Sequence, residues 1–536
     1  VIRLHALSGA GSWLGREGRS ANLRVAMHRS SEPGDWIVAF PWRERERAEA
    51  IASAAIRLVE LGIDLEARPA DGQGGSRSLA QALRGIADAG TTTPPWIRDA
   101  DRRVPAVSIS GTNGKSTTTR MLTHILRVAG RHVGTTTSDG VLFDEVLIEA
   151  GDLTGPGGAR TVLTDPRVDV AVLETARGGM VLRGIGYESN DVSVLTNVSS
   201  DHLDLHGIHT LPELAEVKAT VARITKPDGV AVLNADDPLV AAVARRIRAT
   251  PWFFSMDPAS ARVRRHTAAG GGATIADGDW IMEVRGTRRR RVVAIAEVPA
   301  AVLGLARHNV ANALAAAAAA RALGATIEQV ADGLRTFQPT AEQAPGRLNF
   351  YAVGRRIVVV DFAHNEAGVD VVLGVAEGLA GTRDDRAGKA FVSIVVGTAG
   401  DRPDDTLRGI GRIAAARADD VAIKETITYL RGRTRQSVIG ELAEGIREGG
   451  GRMIDAPVYE DEPSAVRGEL TDPSRMAAGG LPGVLVIMCH ADRDGVVEAI
   501  TGLGGTPVSM ADLVAFQRGA LRGLSPPGPR IPRGRR

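Results

Sequence analysis

From Val104 onward, short runs of β-branched residues alternate with stretches of helical periodicity. The first series predicts strands at Ala106–Ser110, Val168–Leu173, Asp191–Leu195 and Val230–Leu233, with helices near 116–129, 211–225 and 308–322. A second series, after Pro345-Gly346-Arg347, predicts strands at Ile357–Val360, Phe391–Val396, Val421–Ile423 and Val484–Met488. Alternation of this kind is typical of parallel sheets whose strands are joined by helices. The sequence therefore predicts an α/β fold with two doubly wound sheets.

The rest of the chain is organised around these two series. Its 536 residues are too many for a single hydrophobic core. Residues 1–100 contain short mixed segments, an amphipathic stretch from Arg45 to Leu61 and a Gly/Ser/Thr/Pro-rich passage, which predict a small N-terminal α+β domain and a linker. We expect a central domain at 101–341, a C-terminal domain at 342–515 and a disordered basic tail at 516–536, because the tail cannot bury a core.

Composition argues against several classes of protein. No apolar run approaches the roughly 18 residues that cross a bilayer, the first residues lack the pattern of a secretory signal, and Cys489 is the single cysteine. We therefore expect a soluble, cytoplasmic protein with no membrane partner. A net charge of +2 argues against a dedicated nucleic-acid-binding chain, and we interpret the run Arg288–Arg291 and the basic tail as solvated segments.

Lysine is scarce in this chain. Among 65 basic residues, the lysines are Lys115, Lys218, Lys226, Lys389 and Lys424. A chain with this bias keeps lysine mainly where a compact primary amine does chemistry that a planar guanidinium cannot. Two of the five lysines fall inside the motifs described next, which favours a functional role for them.

A phosphate-binding loop is predicted after the first strand. Ala106–Ser110 runs into Gly111-Thr-Asn-Gly-Lys-Ser116 and then into a helix, which points backbone N–H groups and a helix N-terminus at phosphate oxygens. In such a loop Lys115 holds the β- and γ-phosphates and the Ser116 hydroxyl binds Mg²⁺. Ile109 stands where the strict Walker pattern has glycine, so this loop is a shorter variant. The first sheet is therefore predicted to be of the P-loop type.

Polar residues follow the carboxyl ends of the next strands, where open parallel sheets bind their ligands. They are Glu174-Thr-Ala-Arg-Gly-Gly179, then Thr196-Asn197 with Asp201-His-Leu-Asp204, then Asn234-Ala-Asp-Asp237. Together with the loop hydroxyl, Glu174 and His202 predict a Mg²⁺ site beside the triphosphate. Taken singly, Glu174 is equally well explained as a helix cap, His202 as an ordinary loop histidine, and Lys218 as a solvated helix charge.

In order along the chain, these motifs resemble the Mur ligase superfamily from residue 104 to about residue 500. The resemblance includes Lys218, the segment Gly304-x-x-x-His-Asn-x-x-Asn312, Gly346-Arg347 and Asp361-Phe-Ala-His-Asn365. Within the superfamily, Glu174–Gly179 with Arg183-Gly184, and Gly397-Thr-Ala-Gly-Asp-Arg402, are most similar to the Mur-ligase half of cyanophycin synthetases. Those enzymes also carry an ATP-grasp ligase. Here the predicted linker leads directly to the phosphate loop, so we expect a chain that is not a complete two-site synthetase.

The resemblance implies ATP and Mg²⁺ as cofactors, with two metal ions, and a C-terminal domain that is Rossmann-like. The residues that it places around the nucleotide, partly from across the domain cleft, are Gly111, Thr112, Asn113, Gly114, Lys115, Ser116, Thr117, Asn309, Asn312, Arg347 and Asp361. It assigns Ser116, Glu174 and His202 to Mg²⁺, and catalysis to Lys115, Lys218 and His202. Lys218 matches a position that many Mur ligases carbamylate, and this modification would let it bind the second ion.

The activity implied by the resemblance is that of an ADP-forming acid–amino-acid ligase. A carboxylate is activated as an acyl phosphate and coupled to an amino acid, with arginine and an aspartyl side chain of a peptide or polymer as the expected pair. The sequence leaves a homo-oligomer open. Alternatives are a peptidoglycan-type or folylpolyglutamate-type ligase, a P-loop small-molecule kinase, or a silent nucleotide-binding subunit. The arginine–glycine features after Glu174 argue against the first two, and a kinase leaves the second sheet unexplained.

Overall fold

The computed structural model describes residues 26–29, 36–39, 45–60, 81, 84–86, 96–199, 208–381, 390–400, 402–426, 429–450, 456–472, 475 and 482–518. Near the N-terminus, strands β1 (Ala26–Arg29) and β2 (Trp36–Ala39) pair antiparallel, and helix α1 (Arg45–Glu60) follows. The predicted linker before Trp96 and the predicted tail from residue 519 lie outside the described residues. No helix in the described ranges is both long enough and apolar enough to cross a membrane.

The first large sheet has eleven strands in the order β13-β12-β11-β10-β9-β8-β3-β7-β4-β5-β6. In chain order they are β3 (Ala106–Ser110), β4 (Val133–Thr137), β5 (Gly140–Phe143), β6 (Val146–Ala150), β7 (Val170–Glu174), β8 (Asn190–Leu195), β9 (Thr225–Asn234), β10 (Thr250–Ser255), β11 (Gly272–Asp277), β12 (Trp280–Arg285) and β13 (Arg288–Ala294). The strands that lie between β11 and β4 in the sheet order, namely β11-β10-β9-β8-β3-β7-β4, are parallel, so their carboxyl ends share one edge. The predicted α/β class is confirmed.

Antiparallel strands extend this sheet on both sides, which the alternation pattern does not predict. Strands β11, β12 and β13 are joined by two-residue turns, and strands β4, β5 and β6 also pair antiparallel. Gly278 and Gly286 supply the positive φ angles, 55° and 58°, that such tight turns require. A connection this short can only reverse the chain, whereas a parallel neighbour needs a crossover.

Helices pack on both faces of the first sheet. They are α2 (Lys115–Val128), α3 (Pro156–Thr164), α4 (Arg177–Arg183), α5 (Leu211–Lys218), α6 (Thr220–Arg223), α7 (Pro238–Ala242), α8 (Ala261–Ala268), α9 (Arg307–Ala322) and α10 (Ile327–Thr336). The buried alanines of α9 contribute to one continuous core with α2 and α10. The predicted helix 211–225 is interrupted, and β9 begins at Thr225, because Pro227 disfavours helical backbone at the residue before it.

The second sheet has seven strands in the order β18-β17-β16-β19-β15-β14-β20. They are β14 (Asn349–Val353), β15 (Arg356–Asp361), β16 (Phe391–Val396), β17 (Asp420–Lys424), β18 (Val458–Tyr459), β19 (Gly483–Met488) and β20 (Thr506–Pro507). Its helices are α11 (Glu366–Ala380), α12 (Asp404–Arg417), α13 (Arg435–Glu448), α14 (Glu462–Thr471), α15 (Arg493–Gly502) and α16 (Met510–Gln517). The five strands from β15 to β19 are parallel to one another, so this sheet also presents a single carboxyl edge.

Candidate active site

The loop after β3 makes two close approaches that only glycine permits. Gly111 has φ 152° and Gly114 has φ 85°. A Cβ atom at Gly111 would lie 1.9 Å from Thr196 Oγ1, and one at Gly114 would lie 2.2 Å from Asn312 Oδ1. Gly114 is the N-cap of α2 and provides no side-chain cap, so N–H groups of the first helical turn stay available to a ligand. The predicted phosphate loop therefore has the backbone geometry that anion binding needs.

The loop is braced by the residues that end β8. The backbone N–H of Thr112 donates to Asn197 O at 2.8 Å, and that of Asn113 donates to Asn197 Oδ1 at 3.0 Å. Thr196 Oγ1 donates to Asn113 O at 2.7 Å. From β9, Asn234 Nδ2 donates to Thr196 O at 2.7 Å. The polar strand ends found in the sequence thus hold the loop in one conformation.

Two of the five lysines lie against this loop. Lys115 Nζ donates to Thr112 O at 2.9 Å, and Lys218 Nζ donates to Gly111 O at 2.7 Å. Lys218 is 5% exposed although it ends the helix α5. The interpretation of Lys218 as a solvated surface charge is therefore wrong.

Glu174, at the end of β7, faces the first turn of α2. Ser116 Oγ donates to Glu174 Oε1 at 3.1 Å, while Glu174 Oε2 is buried without a hydrogen-bond partner among the described atoms. Burial raises the pKa of this carboxyl, opposed by Lys115, by the Ser116 hydrogen bond and by Arg347. A buried carboxylate with an unpaired oxygen beside a hydroxyl fits the hard oxygen ligands that a divalent cation prefers.

His202, the third predicted metal ligand, lies outside the described residues, as do Asp201 and Asp204. Within the described ranges, no group of three His, Cys, Asp or Glu side chains is arranged to hold a metal ion. Ser116 and Glu174 thus form the part of the predicted metal site that can be placed. Thr117, predicted at the nucleotide, is buried in the first turn of α2.

Asn309 and Asn312 support the loop from the helix layer of the first sheet. They lie in the first turns of α9, where Asn312 Nδ2 donates to Asn309 Oδ1 at 3.1 Å and Asn309 Nδ2 donates to Ala300 O at 2.9 Å. Thr118 Oγ1 donates to Asn312 Oδ1 at 3.3 Å. The two asparagines therefore lie in the helix layer that packs on the same sheet as the phosphate loop, within the predicted central domain 101–341.

Arg347 and Asp361 belong to the second sheet. Asp361, at the end of β15, accepts hydrogen bonds from the backbone N–H groups of Leu348 at 2.9 Å and Ala363 at 2.8 Å. Burial raises its pKa against the opposing charge of Arg347. The Arg347 guanidinium stacks 4.5 Å from the centre of the Phe362 ring. Against the effect of burial, the positive charge of Arg347 acts to lower the pKa of both Asp361 and Glu174, so it is close to carboxyl groups of both sheets.

Two direct contacts join the second sheet to the region of the loop. Asn365 Nδ2 donates to Asn113 Oδ1 at 3.4 Å. Arg493 Nη1 donates to Asp139 Oδ1 at 3.0 Å, and Asp139 also accepts from Arg120 at 2.8 Å. Burial would raise the pKa of Asp139, but Arg120 and Arg493 outweigh it and lower that pKa. Sequence reasoning missed Arg493, because no local pattern reveals a partner so distant along the chain.

A buried ion pair supports the second sheet at its carboxyl edge. Lys424 pairs with Glu462, and their side chains are 0% and 1% exposed. Glu462 also accepts from the backbone N–H groups of residues 490–492. His490 Nε2 lies 2.7 Å from Ala363 O, beside Asp361. No sequence motif points to this pair, although the scarcity of lysine is a signal for it. Cys489 contacts the same carboxylate, and burial raises the pKa of its thiol, which leaves it a poor nucleophile.

The fold and the loop together define a phosphate-loop α/β protein in which a second doubly wound sheet reaches the first. The Mur ligase middle domain family matches residues 109–320. A cyanophycin synthetase from Crocosphaera subtropica is 41% identical over 400 residues, which cover 74% of this chain and 43% of that protein. A UDP-N-acetylmuramyl-tripeptide synthetase from Deinococcus radiodurans is 30% identical over 369 residues, which cover 65% of this chain and 67% of that protein. The chain belongs to the Mur ligase family.

The chain spans less than half the length of the curated cyanophycin synthetases that it matches. Among solved structures, a bifunctional folylpolyglutamate synthase/dihydrofolate synthase with Mn, AMPPNP and L-glutamate bound aligns with a TM-score of 0.51 at 20% identity. That alignment covers 75% of this chain and 89% of the other. At this identity the likeness concerns the fold alone, and it extends over both large sheets.

Proposed function

We propose that this chain is an ATP-dependent, ADP-forming ligase that activates a carboxylate and couples it to the amine of an amino acid. One observation carries the proposal. The loop Gly111–Ser116 is met by Glu174 from its own sheet and by Asn365 from the second sheet. A nucleotide at that loop would be enclosed from both sides, which suits chemistry that must exclude water. Relatives named as synthetases and ligases support the same reaction class.

The phosphates of ATP are proposed to lie against the loop N–H groups and the N-terminus of α2. Lys115 Nζ lies 2.9 Å from Thr112 O, and in this proposal it gives up that hydrogen bond and binds phosphate oxygens when ATP is present. Arg347 adds a second cation from the other side, and Asp361 holds the backbone that carries Arg347. Asn309 and Asn312 act indirectly in this scheme, by fixing the conformation that Gly114 adopts.

Ser116, Glu174 and His202 are the proposed ligands of a divalent cation, with Mg²⁺ as the expected ion. The unpaired, buried Oε2 atom of Glu174 supports this assignment, since a buried carboxylate is costly without a cation or donor. When bound, the cation neutralises charge on the phosphates and so favours attack at the γ-phosphate. Glu174 must be ionised to bind it, and Lys115 favours that ionised form against burial.

The proposed reaction has two balanced steps. The substrate carboxylate attacks the γ-phosphorus of ATP, forms an acyl phosphate and releases ADP. The amine of the amino acid then attacks the acyl carbon, forms the amide and releases phosphate and a proton. Lys115 and Arg347 stabilise charge in the first step, and the second sheet keeps water from the acyl phosphate. By similarity to cyanophycin synthetases, we propose an aspartyl side chain of a peptide or polymer as the acid and arginine as the amine.

Lys218 is proposed to be carbamylated and to bind a second cation. Its amine is 5% exposed and lies 2.7 Å from Gly111 O, so it reaches the phosphate loop. The Lys218 ammonium would lose one proton to give the neutral amine, and addition of CO₂ to that amine with loss of a second proton would give a carbamate, so that a buried cation becomes an anion, a conversion not open to arginine. Intact-mass analysis checks this: a bicarbonate-dependent mass increase of one CO₂ is expected in the wild type and not in Lys218→Ala.

An ADP-release screen tests the reaction. Purified protein is incubated with ATP, Mg²⁺, single amino acids and acidic peptides, and the products are identified by mass spectrometry. We expect ADP only when both an acid and an amine are present, together with an amide product. A stable phosphorylated product that needs no amine would show a kinase instead. Product formed from muramyl peptides or folates would favour the other ligase types.

Lys115→Ala and Lys218→Ala test the two lysines at the loop, with Lys226→Ala as the matched control. Lys226 pairs with Asp191 away from the loop, so its loss is expected to leave turnover unchanged. Lys115→Ala is expected to abolish ADP formation. Lys218→Ala is expected to impair ligation and to recover partly with short-chain carboxylic acids. Wild-type turnover in Lys115→Ala would overturn the phosphate-loop assignment, and full activity of Lys218→Ala without additives would overturn the role of Lys218.

A further inference from the structure

The arginine run of the sequence forms β13, the last strand at one edge of the first sheet. A cleft of about 210 Å³ opens beside it, lined by Glu283, Arg285, Arg288, Arg290 and Arg321. We propose that this arginine cleft and the free edge of β13 bind an extended acidic peptide. The interpretation of the run as merely solvated does not account for this cleft.

The charge balance of the arginine cleft is positive. Its single acidic lining residue, Glu283, is buried, and its carboxylate accepts from Arg321 Nε at 2.5 Å and lies 3.6 Å from Arg285 Nε. Arg288 and Arg290 are exposed and make no ion pair or hydrogen bond with any described side chain. Glu328, at the start of α10, is close enough for the charges of Arg321 and Arg290 to contribute to lowering its pKa, but it makes no hydrogen bond to either of them. Two guanidinium groups are thus left to bind an external anion, and the guanidinium fork suits carboxylates.

The strand register explains why the arginines converge. Arg288 pairs with Arg285 and Arg290 pairs with Glu283, so these side chains share one face of the sheet. Helix α9 ends at Ala322, and helix α10 packs over the buried C-terminal part of β13, which leaves Arg288 and Arg290 exposed at the start of that strand. The Arg285 guanidinium stacks 4.5 Å from the centre of the Trp252 ring, which holds it in place. The cleft is therefore partly ordered before anything binds.

The edge of β13 favours a peptide over other polyanions. Six of its seven residues pair with β12 on one side, and no strand in the described ranges pairs on the other side. An extended peptide can continue the backbone hydrogen bonds of such an edge, which a nucleic acid cannot do. Side chains on one face of an added strand repeat about every 6.6–6.8 Å, which is also the spacing from Arg288 to Arg290. Alternate carboxylates on the peptide would therefore meet Arg288 and Arg290 on one face.

The arginine cleft lies away from the phosphate loop. Helix α9 runs from Asn309 and Asn312, beside the loop, to Arg321 at the cleft, and its 16 residues span about 22–24 Å. A docked peptide would therefore leave the loop accessible. We assign to this docking the role of holding a carboxylate-bearing substrate near the phosphate loop, and this role rests on the proposed function. The binding itself does not depend on it.

Fluorescence anisotropy with a labelled oligo-aspartate tests the binding. A peptide of about ten residues is long enough to span β13. Arg288→Gln/Arg290→Gln is expected to bind about thirtyfold more weakly, since the losses of two exposed ion pairs at the upper end of their range multiply to about that factor. The control Arg103→Gln/Arg131→Gln removes the same charge from exposed arginines that precede β3 and β4, which do not neighbour β13 in the sheet. It is expected to bind like the wild type.

Two further probes separate the alternatives. A peptide N-methylated at every residue keeps its carboxylates but has no backbone N–H to donate to a strand edge, so it is expected to bind more weakly than the unmodified peptide. Absence of oligo-aspartate binding, equal losses in the two double variants, or equal affinity for a single-stranded oligonucleotide would overturn the proposal. ADP release with a short acidic substrate, measured on the same preparations, reports the proposed function separately. If the peptide binds but no ADP is released, the result would count against the proposed ligase activity and not against the peptide-binding site.

Discussion

Replacing Lys424 with methionine breaks the buried ion pair at the carboxyl edge of the second sheet. The change leaves the Glu462 carboxylate buried without a cation, because the two side chains are 0% and 1% exposed. Loss of one partner from a buried pair costs about 3–5 kcal/mol. Backbone N–H groups of residues 490–492 still hold the carboxylate, at 2.6–3.1 Å, so we expect the lower value, about 3 kcal/mol.

The pH dependence of this loss has a definite sign. Burial would raise the pKa of Glu462, but Lys424 and the backbone donors outweigh it and lower that pKa to about 2. In the wild type the ionised carboxylate therefore stabilises the fold above about pH 4.5, and this stabilisation is lost as pH falls toward 2. In Lys424→Met, burial is no longer opposed by the ammonium and the pKa of Glu462 rises. Protonation then relieves the variant, so its deficit shrinks as the pH is lowered from about 7 to about 5.

Hydrogen exchange of the amides in β17 and β19 is the appropriate assay, because it reports the free energy of opening for each segment. Tryptophan fluorescence would not serve, since all six tryptophans precede Ile281 in the sequence and the second sheet begins at Asn349. Lys226→Met is the matched control. Its partner Asp191 is 29% exposed and Lys226 itself 32%, so the control should lose less than about 1 kcal/mol in β8 and β9. A loss below about 1 kcal/mol in Lys424→Met, or a deficit unchanged by pH, would refute the reasoning.

Three other outcomes are expected. Gly114→Ala places a Cβ atom 2.2 Å from Asn312 Oδ1 at a φ of 85°, so it should weaken the binding of an ATP analogue measured by calorimetry and lower the melting temperature. The control Gly130→Ala has a similar φ of 84° but open space around the new Cβ atom, so its effects should be smaller. Equal effects of the two substitutions would contradict the close approach. The Glu174→Gln variant should lose the stabilisation that Mg²⁺ gives in thermal melting with ATP. Without ligands it should be at least as stable as the wild type, since burial disfavours the charged carboxylate, as the raised pKa of Glu174 shows, and the neutral amide avoids the cost of burying a charge. Retained stabilisation by Mg²⁺ would exclude Glu174 as a ligand. Burial lowers the pKa of His308 to about 4, so the protein should lose stability as the pH falls from about 6.5 toward 4, because the unfolded chain binds the proton first. If the melting temperature of His308→Gln depends on pH with the same slope, another group is responsible.

Much of the site could be predicted from local patterns. The strand Ala106–Ser110 was predicted with its observed bounds, and the loop and helix that follow it form the expected turn. Glu174 was predicted beside Ser116 because parallel strands bring their carboxyl ends to one edge. The roles of these residues at ATP and metal stay predictions. The edge hairpins could not be anticipated, since the alternation of strands and helices indicates only the parallel core.

Sequence alone determined the α/β class, the phosphate loop and the family, because each depends on periodicity or on residues that are close along the chain. The tertiary structure decided which distant side chains share an environment. It buried Lys218 against Gly111, paired Lys424 with Glu462, joined Arg493 to Asp139 and gathered four arginines around one cleft. The physical reason is that burial and electrostatic coupling depend on distance in space, and strand order and helix packing set that distance.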